Sequence, residues 1–583
     1  MKDVTIKSLV DSVSIDNKLT RFVLRYRLLE RIVDNFLSFK DVNKFLRRTE
    51  NWSGIEFIEE LFDYIDFSFT TTHKDKQKIP SEGRLIVVAN HPLGGLDALS
   101  LICGIYEVRQ DIKILANEML TNIEQLNEFI IPVDVFSKSQ KKSTMVAIHK
   151  AMIEEKVLII FPAGEVSRLR SGKVMDGDWS KSTISIAKKY GAPILPVFIK
   201  AQNSVFFYMV SKLNKRLSTA LLPREIFKKA GERISIKIGD IIPSVAISNY
   251  MKDKLLIKLL KKHVYRIAKD KKEIFMTEKN VIHPQSQKTI KVELNMSRLL
   301  VNIDEKTKLY TTKYQISKNV INEISRLREL TYRKVGEGTG NKSDKDNYDK
   351  ICDHLILWNN DNIEIIGSYR LGDLSEIIAN HGYESIYNHQ LYEFSLEFEK
   401  VLENTLELGR SFIQQKYWRT NALDYLWQGI GAYVIERPHI KYMFGAVSLS
   451  DSYSELAKNL IVFYYQKWYS EGVNSYLKAK YPYEIPKLSY RTVLSTLNGA
   501  DYKEDFINLK KSLSELGYSV PVLLRKYTDL CEYGGVKFLG FGIDESFNNS
   551  IDCVVLLDLD KIKPEFKERY FNNKKLNKII ELV

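Results

Sequence analysis

Three short stretches hold residue types whose spacing can do chemistry. Residues 87–101, VVANHPLGGLDALSL, run from an apolar stretch into Asn90, His91 and Pro92, then Gly94 and Gly95, then Asp97. A neutral imidazole at a strand end can accept a hydroxyl proton when a carboxylate holds its other ring nitrogen. The substrate's own hydroxyl would then attack an activated acyl group. The same residues also read as a strand-to-helix turn with a capping aspartate. Residues 158–170, LIIFPAGEVSRLR, end a second strand in Phe161 and Pro162, then turn through Gly164 with Glu165 and Arg168 following. In ELGRSF, Glu407 and Arg410 stand three apart. A carboxylate there can take the proton of an attacking amine, and a guanidinium can hold a carboxylate or phosphate. A surface ion pair on a helix, or residues flanking a turn, would look alike.

These residues need elements to position them. RLIVVAN, DIKILAN, KVLIIFP, APILPVFIK and RISIKIG read as buried strands, with helices TMVAIHKAMIEE and KSTISIAKKY between them, an α/β sheet pattern. After a polar, non-periodic stretch the second half restarts. KYQISKNVINEISRLRELTYRKV reads as a helix, and HLILWN, IEIIGSYRL and LYEFSLEF as successive strands. VGEGTGNKSDKDNYD is a glycine-rich acidic loop without P-loop spacing. The expected organisation is two α/β domains. An amphipathic helical segment spans 1–60, the first domain 61–280, a linker 281–304 and the second domain 305–583.

The 583 residues carry a net charge of +14, unevenly spread. Residues 1–300 hold 50 Lys and Arg against 34 Asp and Glu, whereas residues 301–583 hold 37 against 39. A basic half suggests an anionic partner, and no nucleic-acid motif accompanies it, so a membrane surface or an acidic protein is favoured. Residues 18–48 place apolar side chains at helical spacing among arginines, either a membrane-surface helix or one packed on its own domain. No apolar run is long enough to span a bilayer, and the start lacks a signal-peptide pattern. Four scattered cysteines fit reduced thiols. The expected location is cytoplasmic, peripheral on the inner face of the cytoplasmic membrane.

The blocks NHPLGGLD, FPAGEVS and the PV strand around Pro196 resemble, in that order, the glycerolipid O-acyltransferase family of lysophosphatidate acyltransferase type, over about residues 60–275. The resemblance implies acyl transfer from a coenzyme A or acyl carrier protein thioester to a lipid hydroxyl, with His91 as base and Asp97 its partner. Asn90, Gly94, Gly95, Phe161, Pro162, Gly164, Glu165 and Arg168 then fall in the substrate-binding blocks. Two departures stand out. Five residues, not the family's four, separate His91 from Asp97, and the family's FPEGTRS glutamate and arginine are Ala163 and Val166. Those positions help hold a phosphorylated acceptor, so an acceptor without glycerol phosphate is expected. The blocks more closely resemble the hemolysin-like branch linked to aminolipid synthesis.

Residues 305–560 resemble the carrier-protein-dependent N-acyltransferases of ornithine and glycine lipids, of the GNAT fold, and more distantly the acyl-homoserine lactone synthases. The match runs through Arg328, Arg333, Asp346, Asp349, Arg370, Glu407 and Arg410 in order. It implies a 3-hydroxyacyl carrier protein as donor and an amino acid as acceptor, with Glu407 accepting the proton and Arg328, Asp346, Asp349, Arg370 and Arg410 binding substrate. Together the halves suggest a bifunctional synthase of an acyloxyacyl amino-acid lipid, using thioester donors with no bound cofactor or metal. Expected partners are acyl carrier protein, amino acid, lyso-lipid and an anionic membrane, without nucleic acid. The alternatives are a lysophospholipid O-acyltransferase with a non-catalytic second domain, and a non-enzymatic membrane-binding protein.

Overall fold

Leu85–Ala89, LIVVA, has no polar residue and no alternation, the mark of a strand covered on both faces. In the computed structural model it is the central strand of the first unit. Described are residues 36, 38–133, 142–170, 172–247, 251–473, 476–547 and 549–571. The chain divides between His283 and Pro284 into two units.

The first unit contains β1 (Ser68–Thr70), β2 (Leu85–Ala89), β3 (Ile112–Asn117), β4 (Ile130–Val133), β5 (Val157–Ile160), β6 (Arg168–Arg170), β7 (Lys173–Met175), β8 (Ile194–Lys200) and β9 (Arg233–Ile238). Seven of these form one sheet, ordered β1-β9-β8-β2-β5-β3-β4 and parallel except between β8 and β9, while β6 and β7 form a hairpin. Alternate residues feed two cores. Val87, Ala89, Ile159 and Val197 face one, and Ile86, Val88, Leu158 and Ile194 the other. Helix Gly95–Tyr106 covers the first face, and helices Lys142–Ile153, Ser182–Tyr190 and Asp253–Ile267 the second. The five strands expected here are present, and β1, β4 and the β6–β7 hairpin are additional.

Of the amphipathic segment, residues 1–35 and 37 lie outside the described residues. Helix Phe39–Arg48 buries Phe39, Phe45 and Leu46, with Phe45 against Phe57 and Tyr64 in the first core. The packed alternative therefore holds for that part.

The expected linker is corrected at its C-terminal side. Gln287–Asn295 is a helix and β10 (Arg298–Asn302) a strand of the second unit, because Ile290, Leu294 and Val301 find apolar partners there. β11 (Thr307–Lys313), β12 (Asp353–Asn359), β13 (Glu364–Asp373), β14 (Tyr392–Phe394), β15 (Thr405–Ile413), β16 (Tyr442–Leu449), β17 (Leu477–Ala479), β18 (Val536–Asp544) and β19 (Ser550–Asp558) follow. The main sheet runs β10-β11-β12-β13-β15-β16-β19-β18, antiparallel except for β15 with β16. Helices Gln287–Asn295 and Lys318–Val335 pack on one face, and Ala422–Ile435 and Glu455–Tyr469 on the other. The expected strand LYEFSLEF is shorter: only Tyr392–Phe394 is extended, pairing with β17, and Ser395 then caps helix Leu396–Leu402.

Candidate active sites

β2 ends at Ala89, two residues before His91. Asp97 Oδ2 lies 3.1 Å from His91 Nδ1, and the imidazole is 18% exposed, so the pair is buried on the Asp97 side and open on the other. With Nδ1 held, Nε2 is the nitrogen free for a substrate proton. The extra residue before Asp97 is absorbed at Gly94. Its φ of 95° suits glycine, and a Cβ there would meet Val166 at 3.3 Å. Leu93 N and Gly94 N donate to Asp97 Oδ2 at 2.7 and 3.0 Å. Burial raises the Asp97 carboxyl, opposed by His91 and these two amides.

The remaining residues of the blocks divide by role. Phe161 stacks on His91, with ring centroids 4.1 Å apart. Pro162 is buried, its carbonyl accepting from Ser180 N, and Gly164 turns the loop with φ 63°. Gly95 begins the helix that carries Asp97. Asn90, expected to bind substrate, has its side-chain amide paired twice with the backbone of Ile199, at 2.7 and 2.9 Å. Arg168 is likewise engaged, with Glu165 at 3.1 Å and with the hydroxyls of Ser211 and Ser218. Glu165 itself is shared among Arg168, Arg170 and Lys215. Val166 is buried, so the FPAGEVS loop directs no unpaired cation from these positions.

Sequence reasoning passed over Asp176. Its carboxylate accepts from His91 N at 3.2 Å, Trp179 Nε1 at 2.8 Å and the Ser167 hydroxyl, while Ser167 N donates to the His91 carbonyl at 2.6 Å. It clamps the backbone that aims the imidazole.

In the second unit Glu407 and Arg410 lie on a strand, neither on a helix nor at a turn. β15 pairs with β16 only over Thr405–Glu407 and Tyr442–Phe444. A cavity of about 140 Å³ is lined by Glu407–Ser411 of β15 and Ala446–Ser448 of β16. Between the Ser368–Phe412 and Arg370–Gly409 pairs the β13–β15 register shifts, and Arg410 has φ 49°. This bulge brings Arg410 to the same cavity as Glu407, three residues away on a strand that would otherwise alternate.

Three arginines and three aspartates interlock beside it. Arg328 takes Asp349 with two bonds at 2.9 and 2.8 Å and Asp344 at 2.7 Å. Arg370 reaches Asp346 at 2.6 Å, and Arg410 reaches Asp344 and Asp346 at 3.3 and 3.2 Å. Arg328 and Asp349, expected to bind substrate, are sealed against each other, with side chains 1% and 0% exposed. Burial opposes ionisation of Asp349, but Arg328 prevails and holds its carboxyl below the usual range. Arg370 and Arg410 do line the cavity, and Asp346 lines a shallower hollow beside it.

Glu407 is held by Asn388 Nδ2 at 2.7 Å, Asn388 N at 3.2 Å and Tyr387 N at 3.4 Å. Burial raises its carboxyl while these donors oppose the rise. Cys352 also lines the cavity, but burial pushes its thiol up to about 12, so no thiolate is ready for an acyl-enzyme step. Three further acids, Glu337, Asp544 and Asp552, also line the cavity and were missed. Asp552 carried a signal, a lone acid amid the apolar run SIDCVVLL.

With this geometry in view, residues 9–271 match the family model described as Acyltransferase, and residues 327–428 match Acetyltransferase (GNAT) domain. Glycine N(alpha)-acyltransferase of Phocaeicola vulgatus is 32% identical over 308 residues, covering 50% of this chain and 93% of that enzyme. The chain belongs to the aminolipid acyltransferase family. Two further aminolipid acyltransferases bracket the similarity. Lyso-glycine lipid O-acyltransferase of the same organism is 27% identical over 231 residues, 38% of this chain and 81% of that enzyme. L-ornithine N(alpha)-acyltransferase of Brucella abortus is 25% identical over 261 residues, 42% and 84%. As an aminolipid acyltransferase the chain is an enzyme with an N-terminal acyltransferase domain and a C-terminal GNAT domain. Among the described residues no helix is long and apolar enough to cross a membrane.

Proposed function

We propose that the chain makes an acyloxyacyl amino-acid lipid in two steps. The GNAT unit joins a 3-hydroxyacyl group, delivered as a carrier-protein thioester, to the amine of a small amino acid such as glycine or ornithine. The first unit then esterifies the 3-hydroxyl of that product from a second acyl thioester. The observation that carries this reading is that each unit has its own reactive cluster, one built around an imidazole and one around buried charges.

In the ester step, His91 Nε2 takes the hydroxyl proton as the oxygen attacks the thioester carbonyl, and Asp97 stabilises the imidazolium. The proton then passes to the departing thiolate. Ala163 and Val166 carry no charge at the two positions where the family's glutamate and arginine stand, which supports an acceptor without phosphate. In the amide step the positioned amine attacks the thioester carbon directly, so orientation and charge placement are the unit's main contributions.

Both the lyso-lipid and its product are amphiphiles, and the first unit offers a surface for a bilayer. Helix Val205–Leu213 leaves Val205, Met209 and Leu213 75%, 55% and 88% exposed along one stripe, with Lys212 beside them. Just ahead of it, Asn203 Nδ2 donates to the Pro92 carbonyl next to His91. The first half's basic excess suits an anionic membrane face.

The test is mass spectrometry of lipids from a heterologous host expressing this chain alone. The expected products are a monoacyl amino acid and its diacyl ester. His91→Ala should leave the monoacyl form accumulating and the ester down at least 100-fold. Loss of the amide together with the ester in His91→Ala would refute the division of labour.

A further inference from the structure

Four acids line the cavity of the second unit: Glu337, Glu407, Asp544 and Asp552. Glu407 is the one bound by three donors from Tyr387 and Asn388. A carboxylate so satisfied is a poor acceptor for a further proton. Asp552, on β19 and 3% exposed, takes one bond at 2.9 Å from Ser448 on β16. Around it stand Asp544 on β18, Arg410 on β15, Glu337 after helix Lys318–Val335, and Tyr387, with Tyr392 and Cys553 also close. Even with Arg410 beside them, acids this crowded do not all ionise readily in a buried site, and a ligand's cation would relieve them.

A second observation is independent of the acids. Arg370, 3% exposed, lines the cavity with Nη2 lacking any hydrogen-bond partner among the described residues. Asn388, 1% exposed and also in the lining, has an unpartnered Oδ1. An unmet buried donor or acceptor is costly, and a ligand group can relieve that cost. A molecule carrying both a carboxylate and an ammonium offers an acceptor to the orphan donor, and donors to the orphan acceptor and the acids of the same lining.

Building on the amide-forming reading of this unit, we propose that the cavity holds an α-amino acid as its zwitterion, and that Asp552 rather than Glu407 is the catalytic residue receiving the amine proton. The carboxylate sits on Arg370 Nη2, and the ammonium among Asp552, Glu337 and Asn388 Oδ1. Asp552 takes one ammonium proton, freeing the nitrogen lone pair to attack the thioester carbon. The carbon–sulfur bond breaks as the amide forms, and the thiolate leaves with the nitrogen's second proton as a thiol. The proton on Asp552 returns to solvent past Glu337, which is only partly buried. Burial, with Asp544 beside Asp552 and Asp552 beside Glu337, pushes each carboxyl up to about 7, within reach of neutral-pH proton transfer.

The experiment uses the purified full chain with glycine and a 3-hydroxyacyl carrier protein, following thiol release from pH 5.5 to 9. Wild-type kcat/KM should climb with pH and level off above about 7. Asp552→Asn should lose about 100-fold at pH 7, lack that limb, and recover partly at high pH as free amine becomes abundant. Glu337→Gln should raise the KM for glycine about tenfold, and glycinamide, which lacks the carboxylate, should be at least tenfold poorer than glycine with wild type. These two measurements stand even if Asp552→Asn misfolds. An unchanged rate and limb in Asp552→Asn, or a limb lost only in Glu407→Gln, overturns the proposal, as does glycinamide matching glycine. A wild-type chain that forms no amide overturns the parent reading. Calorimetry then judges the site alone, and absence of glycine binding overturns it too.

Discussion

At the scale of single residues, the acids of the second cavity carry a stability consequence that can be signed. The Asp552 carboxyl is raised from an ordinary 3.8 to about 7, chiefly by burial. Between those values the folded chain keeps a proton that the unfolded chain has released, so stability declines as pH rises through the window. Asp552→Asn removes that dependence. Thermal unfolding should show no gain for the variant near pH 4 and a gain at pH 8 on the order of 4 kcal/mol. An equal difference at both ends of the range would contradict it. The legibility of such residues followed their distance along the chain. His91 and Asp97 sit within one turn and could be read as a pair. Asp176 reaches His91 from 85 residues away, and Asp552 meets Glu337 across more than two hundred, distances at which spacing carries no information.

At the scale of elements, buried strands announced themselves because Leu85–Ala89 and Val157–Ile160 are apolar throughout. Arg328 and Asp349 could be placed in order but not assigned a role, since only the fold reveals that each is sealed by the other. The β15 bulge was invisible for a related reason: an arginine at φ 49° has no sequence signature, and simple alternation would send its side chain away from Glu407. Helix Val205–Leu213 supports an element-scale prediction. Met209→Glu with Leu213→Glu puts two anions on its exposed stripe without touching Ser211, which binds Arg168. Co-sedimentation with vesicles containing anionic phosphatidylglycerol should fall at least tenfold, while the unfolding temperature stays within about 2 °C, as expected of exposed positions. Retained binding would show that another surface meets the bilayer.

At the scale of the molecule, the division between His283 and Pro284 separates two units with their own sheets and cores. Fragments 1–283 and 284–583 should therefore each fold, and co-expressing them should restore both lipid products, read by mass spectrometry of the host's lipids. Loss of the diacyl product with the monoacyl product intact would mean that the ester step needs the covalent connection. The three-by-three lattice of Arg328, Arg370, Arg410 with Asp344, Asp346 and Asp349 binds the 336–349 loop to a helix and two strands. Such a knot resists change one member at a time: removing one charge strands its buried partner, so changes that alter amine preference without unfolding the unit should fall on cavity residues outside it.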